Sequence, residues 1–448
     1  MRWIIRAGSL GLAALLFGSG DRAWAQAASE EIIPTQLSLA EAEQIFLARG
    51  LDLLIAQYGA QGAEGDLRAA GAHPNPGLDI SASFGPKTSR DLIGGSLGPP
   101  SGPVNRTVGL SIGITDNAAI GDQLSGKRSL RIEVSAKALA AARLNVDDVR
   151  RLEASQLRQA YAAAVLAGLN VDATKESFDT FDKQLKLNQR RYDEGTINGL
   201  DLSRVLQAQL EALQAVDQAE SAQKQALASL LFLLGARGAI SNVTLTTGID
   251  FARLAQLKDA SLPSLHDLAL RNRTDVKIAE ANLEQSQVVV RQAKRARVPD
   301  IALSLGYTEQ CNSDTCSQVP TFNAGLQGNL PVLYQQQGEI KRAESNALAA
   351  QRLLDKAKAQ VLSDVAQAYA GFVAAKSQVE RMESKLLEQA KLSRDLAQHM
   401  YQKGAASLID FLDAQRAYVA SQIEYHQDLA DYWSAVYQLE QATATPLR

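Results

Sequence analysis

Leu78-Asp79-Ile80-Ser81-Ala82-Ser83-Phe84 and, 223 residues further on, Ile301-Ala302-Leu303-Ser304-Leu305-Gly306-Tyr307 write one pattern twice. In each, apolar residues alternate with small or polar ones, the period-two signature of a strand with one apolar face. The same shift carries Leu47, Asp52, Ile55, Ala56 and Pro76 onto Leu270, Asp275, Ile278, Ala279 and Pro299. Beyond the strands the shift shrinks. Gly126-Lys127-Arg128 meets Gly338 to Ile340, and Tyr192, Gly195 and Asp201 meet Tyr401, Gly404 and Asp410. Self-similarity on this scale predicts two copies of one structural unit, the first carrying an insertion between Phe84 and Gly126.

Each copy predicts the same order of elements. A helical stretch opens it, Leu39 to Ala72 or Leu265 to Arg297. Two strands follow, 78–84 and 107–115 in the first copy, 301–308 and 321–330 in the second, separated by Gly/Pro-rich or polar loops. Then come a long helix (127–191 or 339–402), a Gly-containing turn, and a return helix (201–234 or 408–442). Neither long helix has an internal Pro, and about 64 residues at 1.5 Å each span roughly 95 Å. Leu354, Ala357, Val361, Val365, Ala368, Phe372, Ala375, Val379, Met382 and Leu386 recur at three and four, the spacing of a coiled-coil seam. Such helices belong in a long bundle or tube. The expected division is a signal peptide over 1–25, a first repeat over 26–235, a linker over 236–262 and a second repeat over 263–448.

The signal is read from Arg2 and Arg6, the apolar run Leu10 to Phe17, and the small-x-small site Ala23-Trp24-Ala25, with Gln26 as the first mature residue. Export, with no later apolar run of transmembrane length, leaves a periplasmic, secreted or β-barrel protein. Net charge is −3 with acids and bases mixed, which argues against nucleic acid as a partner. In an oxidising compartment Cys311 and Cys316 read as a small disulfide-closed loop.

Four short strands cannot close a membrane barrel, whose smallest members have about eight. An open sheet with an apolar face would leave unpaired edges in lipid. Several chains sharing one barrel remove both difficulties. Two chains or three satisfy the geometry equally.

Certain motifs, taken in order and duplicated, resemble the TolC-like outer-membrane efflux family over nearly the whole mature chain. They are Pro74-Asn75-Pro76, Val298-Pro299-Asp300-Ile301, Arg191 to Gly195 with Leu200-Asp201-Leu202, and Met400 to Gly404 with Ile409 to Gln415. The start Gly126-Lys127-Arg128 looks more like the heavy-metal efflux (CzcC-type) branch. The resemblance implies an α+β membrane protein: a homotrimer whose twelve-stranded β-barrel continues into a periplasmic α-helical barrel. It implies a passive exit duct in the outer membrane, reaching into the periplasm, for a tripartite efflux or type I secretion system. Its partners would be outer-membrane lipid, a periplasmic membrane-fusion adaptor and an inner-membrane pump of RND or ABC type.

The resemblance also assigns roles. Asp410 and Asp413, three apart and so on one helical face, match positions that line the closed periplasmic aperture. Repeated in three chains they make a ring that favours cations. Acids also gather at helix N-termini simply to complement the dipole. Asp201 and Tyr401 match a hydrogen-bonded latch between neighbouring coiled coils. Where the family's best-known member has an Arg, this chain has Ala406, so the latch is expected to be weaker or built differently. Gly195 and Gly404 are expected to end helices with positive φ. The tip residues Gly404, Ala405, Ala406, Ser407 and Leu408 are candidate adaptor contacts.

No constellation suggests an enzyme. Gly94-Gly95-Ser96-Leu97-Gly98 fits a nucleophile-elbow pattern but sits in a Gly/Pro loop with no helix after it. His73, His266, His399 and His426 lack metal-ligand spacing, and no cofactor motif is present. The alternative is a soluble periplasmic coiled-coil scaffold or adaptor, which predicts a single helical hairpin and no lipid-facing strands.

Overall fold

The computed structural model describes residues 34–87, 105–236, 243–249, 261–312 and 319–447. The signal segment, the elbow-like Gly94–Gly98 stretch and Cys316 lie outside them, and with Cys316 goes the expected disulfide.

Strands β2 (Gly77–Lys87), β3 (Asn105–Thr115), β5 (Ile301–Asn312) and β6 (Val319–Gly328) form one antiparallel sheet in the order β2-β3-β5-β6. Pairings such as Ile80 with Ile112, Ile112 with Tyr307 and Tyr307 with Phe322 align the apolar positions on one face. Most of that face is uncovered among the described residues: Phe84 is 79% exposed and Leu326 77%. The other face carries small polar groups, among them the Ser81 and Ser111 hydroxyls 2.7 Å apart. Within the sheet β2 and β6 each pair on one side only.

Helix α4 (Lys127–Asp193) runs unbroken for 67 residues, and α5 (Gly199–Leu233) returns along it. In the second half α8 (Gln337–Arg381), α9 (Leu387–Gln402) and the return helix α10 (Leu408–Thr443) hold the corresponding places. Val361, Val365, Phe372 and Val379 of α8 pack with Tyr432, Val436 and Leu439 of α10 in one core. No described helix is long and apolar enough to cross a membrane.

Three features depart from the periodicity reading. Both opening stretches break, giving α1 (Leu39–Arg49) with α2 (Leu51–Gly71), and α6 (Leu262–Asn272) with α7 (Thr274–Arg295). The breaks fall at Gly50 and Arg273, both with extended ψ and 223 residues apart. A seven-residue helix, α3 (Ala119–Ser125), sits between β3 and α4. The second long helix contains a π turn at Met382–Leu386, closed by the Leu387 N–H on the Met382 carbonyl. The extra residue shifts the seam. Leu386 turns out to 45% exposure, and Leu387 takes the inward position that a four-residue step assigned to Leu386.

A parallel pair, β1 (Gln36–Leu37) with β4 (Thr244–Leu245), ties the start of the chain to the segment between its halves. Tyr161 of α4 clamps that pair from below. Its buried hydroxyl donates to the Leu37 carbonyl at 2.9 Å and accepts the Thr247 N–H at 3.0 Å. Leu37 O keeps a second donor, the Thr246 N–H, so Tyr161→Phe orphans chiefly the Thr247 N–H. The substitution is expected to cost about 1–2 kcal/mol in denaturant unfolding. Unchanged stability would show that the clamp holds nothing.

Candidate functional site

The sequence-derived candidates converge on the two hairpin turns, where α4 meets α5 and α9 meets α10. Both turns end their first helix identically. The Thr196 N–H bonds Arg191 O at 2.8 Å and the Gly195 N–H bonds Tyr192 O at 2.9 Å. Ala405 and Gly404 repeat this on Met400 and Tyr401 at 2.8 and 3.0 Å. These are Schellman closures, which need the left-handed backbone that Gly195 and Gly404 supply at φ 73°. A Cβ at either glycine would meet nothing within 4 Å, so backbone conformation alone requires glycine there.

The return helices are capped from the side. The Asn198 side chain accepts the Asp201 N–H at 2.8 Å. Ser407 and Asp410 form a full capping box: Asp410 Oδ2 accepts the Ser407 N–H at 3.0 Å and its hydroxyl at 2.7 Å, while Ser407 Oγ accepts the Asp410 N–H. The Ser407 hydroxyl and backbone hydrogen bonds hold the Asp410 carboxyl below the usual carboxylate range. Asp410 therefore stays ionised through neutral and mildly acidic solution. The sequence already held this signal in Ser407 standing three before Asp410, but the acid was read only for its charge.

Asp413 lies one turn on, its side chain 68% exposed, with the Arg416 guanidinium 3.9 Å away. Arg416 is held more closely by Glu211 of α5, at 2.8 Å. Counting along the repeat, Arg204 stands in the first turn where Asp413 stands in the second, 3.6 Å from Asp201. The second return helix thus opens with two exposed acids, with Lys403 in the turn before them, where the first pairs an acid with Arg204.

Tyr401 is buried and committed inside the chain. Its hydroxyl donates to Asn188 Oδ1 at 2.5 Å, and Asn188 in turn donates to the Gln184 carbonyl at 2.9 Å. Its ring stacks on Phe411, with centroids 5.7 Å apart, and the Arg191 guanidinium lies 5.3 Å from its centre. Within one chain Asp201 is not its partner. Asn188, which joins the first hairpin to the second, went unnoticed in the sequence, although it lies one helical turn before Tyr192, the counterpart of Tyr401.

Phe181, Val205, Ala208, Leu408, Phe411 and Leu412 complete a core that fixes the two turns side by side. Leu408 thus faces inward, whereas Gly404, Ala405 and Ser407 are exposed and Ala406 is half-buried. Among the described residues no group of three His, Cys, Asp or Glu side chains is placed to hold a metal ion.

A family model described as outer membrane efflux protein matches residues 43–236 and 265–445, one stretch in each half. The chain is 26% identical over 314 residues to the cobalt-zinc-cadmium resistance protein CzcC of Cupriavidus metallidurans, covering 68% of this chain and 70% of that one. Among solved structures it resembles CusC at a TM-score of 0.72 and 20% identity, over 90% of this chain and 91% of the other. It resembles the CmeC outer membrane channel of Campylobacter jejuni at 0.73 and 17% identity, over 90% of this chain and 85% of that one. At these identities the structural likeness concerns the fold.

Proposed function

The chain belongs to the outer membrane efflux protein family, and from that premise we propose how its parts act together. It serves in the outer membrane as an exit duct for efflux and reaches into the periplasm. Three copies join their sheets into one twelve-stranded barrel with the apolar face toward lipid. The long helices of all three continue below as a tube through which solutes pass without chemistry.

The observation that carries this reading is the bare apolar face of the sheet, bounded by two strands each paired on one side. In water such a surface invites aggregation. In lipid, closed by neighbours, it is the stable arrangement.

At the periplasmic tip Asp410 and Asp413 form the charged aperture, and Asp201 with Tyr401 latches neighbouring hairpins. Since Tyr401 is already bonded to Asn188, the latch rests on the pair Tyr401–Asn188 within a chain and on Asp201 between chains. Gly195, Gly404, Ala405, Ala406 and Ser407 meet a periplasmic adaptor, with Leu408 supporting them from inside, and the adaptor links the duct to an inner-membrane pump. CzcC is named for resistance to cobalt, zinc and cadmium. An acidic aperture suits such divalent cations, so they are the first cargo to test.

The test is planar-bilayer recording of the purified oligomer. Insertion with discrete conductance steps is the expected result. A protein that neither inserts nor conducts would remove the barrel and leave the coiled-coil scaffold.

A further inference from the structure

The short helix α3 packs on β5 at the base of the sheet. It comes so close only because residue 121 is glycine: a Cβ there would meet the Ile301 carbonyl oxygen at 2.6 Å. Beside it opens a groove of about 400 Å³, walled by Ile120 and Leu124 of the helix and by Ile301, Leu303 and Leu326 of β5 and β6. Leu303 and Leu326 are paired across the two strands on the apolar face, so the groove continues that face downward.

The polar groups of the groove are already committed. The Asp116 carboxylate accepts the N–H groups of Ala118, Ile120 and Leu303 at 3.1, 3.1 and 2.7 Å. The Ser125 hydroxyl donates to the Asp122 carbonyl at 3.2 Å. What remains is hydrocarbon held outward, with Leu124 80% exposed and Ile120 52%. That arrangement is costly in water and favourable in a bilayer.

The end of the groove toward the helical tube is basic. Arg295, the last residue of α7, donates from Nε to the carbonyl of Ser125, a lining residue. Arg297, next to the lining residue Val298, donates from Nε to the Gln335 carbonyl at 3.1 Å. Both side chains are exposed, and neither is in an ion pair among the described residues. Their neighbours Lys127 and Lys294 are held by Asp300 and Glu344, each at 2.9 Å. With Nε bonded inward, each guanidinium keeps its terminal N–H groups for an anion.

We propose, taking the bilayer itself from the exit-duct reading, that the groove binds an acyl chain of an anionic phospholipid whose phosphate rests on Arg295 and Arg297. Chain order sets the leaflet. Both arginines stand between α7 and the start of β5, on the tube side, where the headgroups of the periplasmic leaflet lie. A second copy of the chain fits less well, because the groove stands over β5, inside the sheet, whereas a neighbour joins at the edge of β6.

The experiment reads tryptophan quenching in the full chain reconstituted in bilayers. Leu124→Trp puts a fluorophore at the groove, and Phe84→Trp puts one on the apolar face toward the far end of β2. The signal of Trp433, in the helical core, is subtracted with the unsubstituted protein. Phosphatidylglycerol or phosphatidylcholine with brominated chains is titrated into unlabelled phosphatidylcholine. Half-quenching of Leu124→Trp is expected at about a fivefold lower fraction of the anionic lipid, the worth of one basic group at a membrane surface. Arg295→Gln with Arg297→Gln should remove that difference, and Phe84→Trp should show none in either background. Equal quenching of Leu124→Trp by both lipids would reduce the groove to ordinary lipid contact and overturn the proposal. Quenching of Phe84→Trp without quenching of Leu124→Trp would show protein covering the groove, which overturns it too and leaves the duct standing. Failure of both positions to quench would instead strike the exit-duct reading.

Discussion

Channels carrying Asp410→Asn and Asp413→Asn together should show a larger unitary conductance than wild type and lose most of their preference for cations. Asparagine is the informative substitute because it separates charge from architecture. Its amide oxygen can still accept from the Ser407 N–H and hydroxyl, so the cap that starts α10 survives. Alanine would remove cap and charge at once and confuse fraying with gating. The Asp410 carboxyl is held low by Ser407, so its contribution to selectivity should persist as pH falls below neutrality. It should disappear only as the pH passes down through that lowered value. Asp413 has no cap to make, and its nearest cation, Arg416, is engaged by Glu211. Asp413→Asn alone should therefore shift the reversal potential in the same direction without disturbing the helix start. Conductance and reversal potential unchanged in the double variant would move the gate away from these acids and leave the duct standing.

The duplicated strands, the long helices and the turns were legible because each writes a local period. Alternation along 78–84 and 301–307 fixes both the strands and the face that stays bare. The position of the π turn was not legible, since Leu386 and Leu387 each extend a seam from Met382. The turn shows itself only in the structure, where Tyr425 of α10 donates to Glu383 within it at 2.9 Å. The breaks at Gly50 and Arg273 are hidden for a related reason. Apolar spacing runs through them, and only the repeat shift reveals that a glycine and an arginine occupy one bend. Asn188 is 213 residues from Tyr401, and no local pattern links residues so far apart. The acidic turn was half legible: Asp410 and Asp413 were singled out by their spacing together with the family resemblance, whereas the Ser407 cap and the neighbouring Arg204 and Arg416 emerge only when side chains have places.

Arg273→Met should be among the most destabilising single changes in the helical part, costing about 3 kcal/mol in denaturant unfolding at neutral pH. Arg273 occupies the break between α6 and α7 with its side chain 7% exposed. It forks onto Asp275, at 2.6 and 3.0 Å, and reaches Asp364 of α8 at 2.8 Å. One buried cation therefore sets the bend and binds it to the long helix. Removing it takes from both carboxylates the cation they share, while Arg151 still acts on Asp275. Because Asp275 and Asp364 remain 29% and 32% exposed, water relieves part of that cost, which places the effect low in the range for half-broken buried ion pairs. Lysine should rescue only partly, since a point charge cannot fork. The pH dependence distinguishes this from lost packing. Burial pushes the Asp275 carboxyl up, but the Arg273 hydrogen bonds and charge outweigh it and hold the group below its usual value. A lowered folded pKa contributes stability that is complete above the unfolded value and lost as pH falls through the folded one. The gap between wild type and Arg273→Met should therefore hold from neutral down to about 4 and narrow as pH falls further, through the lowered Asp275 value. Helical circular dichroism in a urea series at both pH values measures it. A gap that keeps its size on acidification would mean that Arg273 acts through its bulk, and that the ion pair does not hold the bend.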